Sequence, residues 1–391
     1  MFTKEALCLR NRCKPMKIGI NAMAAFVEPR TGVEEYTYQL IKHLTMLKES
    51  EEHCFVLYSP FNKIFDFPLP ENFKIKRLRW GLPSWTQCRL SAEMAAREPD
   101  ILFIPVHVLP LVHPKNSVTT IHGLEYEHYP EMYPKKRLAY LRWSAKYALK
   151  NSARVIAISQ NTKNDLVKIY KANPEKISVV YHGYEDGGSP RGGGLSPDKN
   201  GGCPPFRGQP PFSSPYILFI GRLEGKKNIG GMIEAFELFK KKYGLPHKLF
   251  LAGGRGYGYE AFAGRIAGNK DIVEMGFVSE AEKWELLKNA AAFLFPVFYE
   301  GFGMPILEAQ AMGCPVIASE TSSLPEVAGE GALFVSPKNI EKISEAVYKV
   351  ISDGELRRGL IEKGFQNIKK FSWEKCARET LGVLTKQNMS R

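Results

Sequence analysis

Short apolar runs alternate with amphipathic helical stretches along almost the whole chain, and the alternation breaks once and then restarts. In the first half the runs are KIGINAMAAF (17–26), CFVLYS from Cys54, ILFIPV from Ile101, SVTTIH from Ser117, RVIAIS from Arg154 and ISVVYH from Ile177. A helical pattern at 34–47 follows the first, and helical patterns separate several of the others. Strands that alternate with helices need crossover connections, so the pattern predicts a parallel sheet covered on both faces. The break is at 185–215, where fifteen of 31 residues are Gly or Pro, against about four for average usage. Such a stretch cannot bury a core and reads as a linker or insertion. The alternation resumes with YILFIGR ending at Arg222, a helix at 228–241, KLFLAGG, IVEMGFV from Ile272 and a helix near 279–290. AAFLFPV from Ala291, a helix starting near Pro305, PVIAS, a short helix and ALFVS follow, and helical patterns fill 338–388. The expected fold class is α/β, with two Rossmann-like doubly wound domains at 16–184 and 216–371. In such folds ligands bind at the carboxyl ends of the strands, and two such domains face to face make a cleft.

A chain of 391 residues is too long for one ordinary core and fits two domains. With 44% hydrophobic and 24% charged residues the composition is that of a soluble globular protein. No run of about 18 uncharged apolar residues is present to span a membrane. The N-terminal residues have basic groups but no apolar run of signal-peptide length. Residues 1–15 show no apolar period and are expected to be dispensable. The seven cysteines are scattered; Cys8 and Cys13 lie close together, but no second pair completes a zinc pattern. A reduced, cytoplasmic compartment with free thiols follows, and no metal site is expected. The net charge of +13 suits a partner rich in phosphate, such as a nucleotide, a nucleic acid or an anionic lipid face, or else reflects a basic proteome.

Four segments carry chemistry. In 295–327, Glu300 follows a strand, Gly301-Phe302-Gly303 permits close backbone approach to a ligand, and Pro305 suits a first helical turn. Amides of residues 303–306 are then expected to point outward toward an anion. Glu308 lies early in that helix, so both carboxylates can face one pocket and accept hydrogen bonds from sugar hydroxyls; two solvated acids at a strand-turn-helix joint would leave the same trace. In GRLEGKKN (221–228), Arg222 ends a strand and Lys227 precedes a helix, a pairing of fork and point charge that suits a diphosphate or an ordinary basic loop. LAGGRGYG (251–258) does not fit the dinucleotide fingerprint and reads as a nucleotide-side loop at most. In VTTIHGLEYEHYPEMYP (118–134), His122 ends an apolar strand, either at a crevice edge or as a satisfied structural histidine.

Together these segments resemble the family-4 glycosyltransferases, retaining enzymes of the GT-B fold, over about residues 16–388. The core of the resemblance is the pair of glutamates eight residues apart, Glu300 and Glu308 in EGFGMPILE, with GRLEGKKN upstream. The IHGLEYEHYPEMYP and SSLPEV segments are similar to a mannosyltransferase branch. The resemblance implies that Arg222 and Lys227 hold the donor diphosphate and stabilise it as it leaves. It implies that Glu300 contacts the donor sugar, that Glu308 binds the ribose, and that amides of Gly301, Phe302, Gly303 and Met304 face sugar and phosphate. His122 would stand near the reacting carbon, Gly32 beside the diphosphate, and a last helix (372–391) would cross back to the first domain. Two positions depart from the family pattern. Gly123 stands where Asp is common after the histidine, and Glu34 where a second glycine is common. Both put the acceptor in question more than the donor. The segment 185–215 is also longer than the family's usual linker.

No D-x-D sequence occurs, so no obligatory metal or other cofactor is expected, and Arg222 and Lys227 must stabilise the leaving group. The resemblance implies same-face attack by the acceptor hydroxyl. It also implies GDP-mannose ahead of a UDP-sugar as donor, and a glycan or polyprenyl-linked acceptor in cell-surface polysaccharide synthesis. Basic residues at 74–89 with Trp80 and Trp85, and at 135–150, suit an anionic membrane surface at the inner face of the plasma membrane, or helix faces that are merely solvated. A non-catalytic nucleotide-sugar-binding subunit is the competing reading. No nucleic-acid partner is expected, because no helix-turn-helix or RNP-type signature accompanies the charge.

Overall fold

The structure, a computed structural model, describes residues 15–184 and 214–386. The expectations for 1–15 and 185–215 therefore lie almost wholly outside the described residues. Seven strands form a first sheet: β1 (Lys17–Asn21), β2 (Cys54–Ser59), β3 (Phe73–Arg77), β4 (Ile101–Ile104), β5 (Ser117–Ile121), β6 (Arg154–Ala157) and β7 (Ile177–Val179). Their order is β3-β2-β1-β4-β5-β6-β7. Six form a second: β8 (Tyr216–Ile220), β9 (Lys248–Ala252), β10 (Ile272–Gly276), β11 (Ala292–Phe295), β12 (Val316–Ser319) and β13 (Ala332–Val335). Their order is β10-β9-β8-β11-β12-β13, and every pairing in it is parallel. Both are doubly wound Rossmann-like sheets, as the alternation predicts.

By compactness, one unit holds the described residues of Met1–Ile121, Ser144–Ile156 and Ala377–Arg391, and the other holds His122–Trp143 and Ala157–Cys376. In the second unit β8, β9, β11 and β12 are buried on both faces, which is why they read as continuous apolar runs. The helix Ile229–Tyr243 covers them and ends at Gly244, whose φ of 65° needs no Cβ, with Lys240, Lys241 and Lys242 facing the negative end of the helix dipole. Its Tyr243 ring stacks on Tyr348 of the helix Ile340–Ser352 with centroids 3.8 Å apart.

In the first unit three details differ from the sequence reading. The strand expected over 17–26 stops at Asn21, and Ala24–Phe26 form a 3-10 turn. The Asn21 carboxamide oxygen accepts the Met23 N–H at 3.2 Å, and an alanine pair has little β propensity. FKIKR is the edge strand β3, where alternating lysines blunt an otherwise open edge. Trp85 is not an exposed aromatic: it is 7% exposed, packs with Leu78, Leu90 and Met94, and donates its indole N–H to the Leu78 carbonyl at 2.9 Å. Lys76 and Arg89 of the same stretch both pair with Glu93.

Candidate active site

The order of the second sheet reverses between β8 and β11, so the loops that leave these two strands diverge and open a crevice at their carboxyl ends. Arg222 and Lys227 are on the first loop and Glu300 is on the second. Lys227 Nζ donates to Glu300 Oε2 and lies 5.7 Å from the centroid of the Phe295 ring. Asn228 fixes the lysine's backbone. It is buried at φ 57°, and its amide donates to the carbonyls of Pro296 and Pro337 at 2.8 and 2.7 Å. One buried side chain thus ties the start of the helix Ile229–Tyr243 to the end of β11.

The glycine-rich segment after β9 supports Arg222. A Cβ on Gly253 (φ +143°) would lie 2.0 Å from the Gly221 carbonyl, and one on Gly256 would lie 2.8 Å from Cγ and Cδ of Arg222. The Leu223 N–H donates to Gly254 and the Gly256 N–H to Leu223, each at 2.9 Å. These glycines let two backbones meet and seat the arginine stem. The Arg222 side chain is exposed, and among the described residues no carboxylate is within ion-pair distance of it.

After β11 the chain passes through Tyr299-Glu300-Gly301-Phe302-Gly303 into the helix Met304–Ala311. Gly303 caps this helix at φ 107°, where a Cβ would also meet Leu324 at 2.8 Å. The loop is strapped from behind. The Glu300 N–H donates to Ser322 Oγ at 3.1 Å, and the Ser323 hydroxyl lies 2.8 and 2.9 Å from the carbonyls of Glu300 and Phe302. The Phe302 ring is 2% exposed in an apolar cluster with Ile158, Leu307, Val327 and Phe371, so only its backbone can meet a ligand. Glu308, one turn into the helix, accepts from Lys283 Nζ at 2.9 Å. Burial alone would lower Lys283, but Glu308 and Glu280 override it and raise its pKa. Each acid of the pair therefore faces its own lysine.

His122 enters the same group of residues. Its carbonyl oxygen abuts Gly301 so closely that a Cβ there would lie 1.8 Å away. Its ring is 5.6 Å from that of His182, which packs 4.8 Å from Phe302. Burial, with the nearby His122, holds His182 well below the usual histidine range.

This arrangement can be set beside known proteins. A family model described as Glycosyltransferase Family 4 matches residues 30–186, and one described as Glycosyl transferases group 1 matches 206–367. The chain belongs to the family-4 glycosyltransferases. It is 27% identical over 385 residues to the O-antigen chain mannosyltransferase B of Escherichia coli, covering 91% of this chain and 96% of that one. It is 27% identical over 344 residues to the O-antigen chain mannosyltransferase RfbU of Salmonella typhimurium, covering 81% and 89%. The fold is that of the Anabaena Alr3699/HepE structure in complex with UDP-glucose, with a TM-score of 0.68, 15% identity and coverage of 95% and 100%.

Both departures from the family pattern have local causes in this glycosyltransferase. Gly123 has φ +138°, and a Cβ on it would lie 3.2 Å from Gly301 Cα, so an aspartate there would be strained as well as crowded. Glu34 completes a capping box: its carboxylate accepts the Thr31 N–H at 3.2 Å and caps the helix Gly32–Leu44. Gly32 opens that helix in the first unit and is described there alone.

Around the candidate site are further contacts that the sequence did not flag. Tyr299 donates to Asp165 at 2.7 Å, His128 Nε2 lies 2.9 Å from the same carboxylate oxygen, and the His128 and Tyr299 rings stack at 4.8 Å. Burial, reinforced by Asp165, raises the Tyr299 pKa and keeps its hydroxyl a donor. Glu326 of SSLPEV accepts the N–H groups of Gln160 and Asn161 at 2.6 and 3.0 Å. Lys226 sits between Glu125 and Glu224 at 3.6 and 3.4 Å. Except for Lys226–Glu224, these pairs join residues far apart in the chain; EYEH and the doubled lysine of EGKKN are the local hints.

Proposed function

We propose that this glycosyltransferase moves mannose from GDP-mannose, with retention of configuration, onto a glycan or polyprenyl-linked acceptor for a cell-surface polysaccharide. A UDP-sugar is the second donor class to test. The observation that carries the reading is the Lys227–Glu300 pair at the switch point, with Arg222 exposed on the loop that carries Lys227 and Glu308 one turn into the helix that follows Glu300. Mannose is supported by the two relatives named as mannosyltransferases, and a sugar nucleotide by the UDP-glucose complex of the Anabaena protein. The domain at 216–371 then holds the donor, and 16–184 the acceptor.

As the donor arrives, its diphosphate competes with Glu300 for Lys227. The lysine turns to the phosphate, and Glu300 is released to accept from the sugar hydroxyls. Arg222 supplies a bidentate fork to the same phosphates. When the sugar–phosphate bond breaks, negative charge gathers on the leaving group, and two nearby cations lower that barrier without a metal. The acceptor hydroxyl attacks from the face the diphosphate leaves, and its proton passes to the departing phosphate oxygen. Glu308 accepts from the ribose hydroxyls.

The acceptor class agrees with a peripheral site at the inner face of the plasma membrane. The helix Lys135–Asn151 carries no acid and exposes Tyr140 and Trp143, whose ring centroids are 5.9 Å apart, beside Lys136, Lys146 and Lys150.

A screen of sugar nucleotides by thermal shift tests the donor, because a ligand that binds only the folded state raises its melting point. GDP-mannose should give the largest shift, and the product formed from it should keep the α configuration. A larger shift with a UDP-sugar would replace the donor, and an inverted product would remove the proposed mechanism.

A further inference from the structure

Beside Glu300 there is a second carboxylate that the mechanism above does not use. The turn that leaves β5 runs His122-Gly123-Leu124-Glu125, and it packs on the Glu300 loop glycine to glycine. Because neither Gly123 nor Gly301 has a side chain, the first side chain to reach this spot from the turn is Glu125. Its Oε2 lies 3.1 Å from where a Cβ on Gly123 would stand. Its other oxygen, Oε1, accepts from the Tyr133 hydroxyl at 3.1 Å and lies 3.6 Å from Lys226 Nζ. Lys226 in turn donates to the Tyr133 oxygen at 3.2 Å and lies 3.4 Å from Glu224.

Oε1 thus carries the Tyr133 and Lys226 contacts, and the carboxylate also accepts from the Glu125 backbone N–H. Burial, the largest single influence, would push Glu125 up, but the Lys226 charge, its own backbone N–H and the Tyr133 hydroxyl together hold it below the usual carboxylate range, with Lys227 adding to the effect. Lys226 is shifted in the matching sense: burial would lower it, but Glu125, Glu224 and, more weakly, Glu300 raise it. The Glu125 side chain is 29% exposed against 13% for Glu224, so of the two acids on Lys226 it is the one open to a ligand.

We infer that Glu125 is an acceptor-binding residue, whose Oε2 accepts a hydrogen bond from a hydroxyl of the incoming sugar and fixes that hydroxyl beside the donor held at Glu300. This rests on the sugar-transfer reading above. Glu224 and Tyr133 keep Lys226 satisfied when Glu125 loses its charge, so E125Q leaves the donor half in place. Losing the orienting contact costs transfer about 10²-fold, the scale of misplacing a reactant by an ångström.

The test uses the full chain, the donor chosen by the thermal-shift screen, and octyl α-mannoside as acceptor. For E125Q we expect a donor-induced melting shift and a slow donor hydrolysis by water equal to wild type. Transfer to octyl α-mannoside should fall about 10²-fold with a raised acceptor KM. E125D keeps the charge but shortens the reach; it should recover part of the transfer and serves if E125Q folds poorly. Transfer by E125Q at the wild-type rate would overturn the assignment. So would an equal loss of donor affinity and of hydrolysis, which would make Glu125 a prop for Lys226. A wild-type chain that binds and hydrolyses no sugar nucleotide would instead bring down the transfer reading itself.

Discussion

Lys283 donates to Glu308 across 2.9 Å, while Lys227 holds Glu300, so the two acids of the eight-residue spacing are set apart by separate partners rather than sharing one. The proposed function gives them separate roles. Glu308→Gln should weaken binding of the free nucleoside diphosphate by about 10- to 100-fold, the worth of a hydrogen bond to a charged group. Glu300→Gln should spare that binding and impair transfer. Calorimetric titration of both variants with GDP, beside transfer rates, separates them. Equal losses for the two ligands in both variants would mean that the acids act on stability alone.

Gly301 is irreplaceable for a reason of space. A Cβ there would lie 1.8 Å from the His122 carbonyl, backbone against backbone, with no flexible side chain to yield. Gly301→Ala must displace the loop that carries Glu300 or the turn that carries His122. We expect a loss of about 1–3 kcal/mol in denaturant titration, as for overpacked sites, together with loss of transfer. A wild-type midpoint and rate would contradict the packing described.

The pH dependence of stability should carry a signature of His128. Its bond to Asp165, the largest influence, raises its folded-state pKa above 6.5 against the opposing effect of burial, with Glu127 adding to the rise and Lys168 subtracting. The folded state thus binds the proton more tightly. The stabilisation is fully present below the unfolded value and is lost as pH rises through the folded one. The difference in melting point between wild type and His128→Gln should therefore be largest near pH 6 and shrink toward about pH 9. A difference that grows with pH would have the wrong sign.

Membrane attachment through the helix Lys135–Asn151 is testable by flotation. The full chain should float with phosphatidylglycerol-containing vesicles at low salt and be released at high salt. Replacing Lys136, Lys146 and Lys150 together by Glu should weaken that binding by on the order of 10²-fold. Failure of the unaltered chain to float at low salt would discard the membrane surface.

How far the sequence could be read depended on whether a feature was local. The doubly wound sheets were legible because buried parallel strands such as β8 and β11 are apolar on both faces. Arg222, Lys227 and Glu300 were legible because a charge placed just after such a run must lie at a carboxyl edge. Asn228 was not, since its two bonds reach Pro296 and Pro337, and nothing in GRLEGKKN signals carbonyls so distant. The Tyr299–Asp165–His128 network is hidden for the same reason, its members lying 134 and 37 residues apart. Lys76 and Arg89 show another limit. Each reads as a free surface cation, yet both are taken up by Glu93, which lies further along the chain. Gly123 and Glu34 show that a departure from a family pattern can have a cause in backbone conformation and capping alone.

The arginine seated on Gly256 has a kinetic consequence. Lys226, Lys227 and Lys283 are each matched by a glutamate, so their fields largely cancel at a distance. Arg222 has no such match among the described residues and is exposed. Under the proposed function the two cations then divide the work in time. Arg222 would set how fast a sugar nucleotide is captured, and its removal should flatten the dependence of the association rate on ionic strength. Lys227, which must first exchange Glu300 for phosphate, would set how long the nucleotide stays.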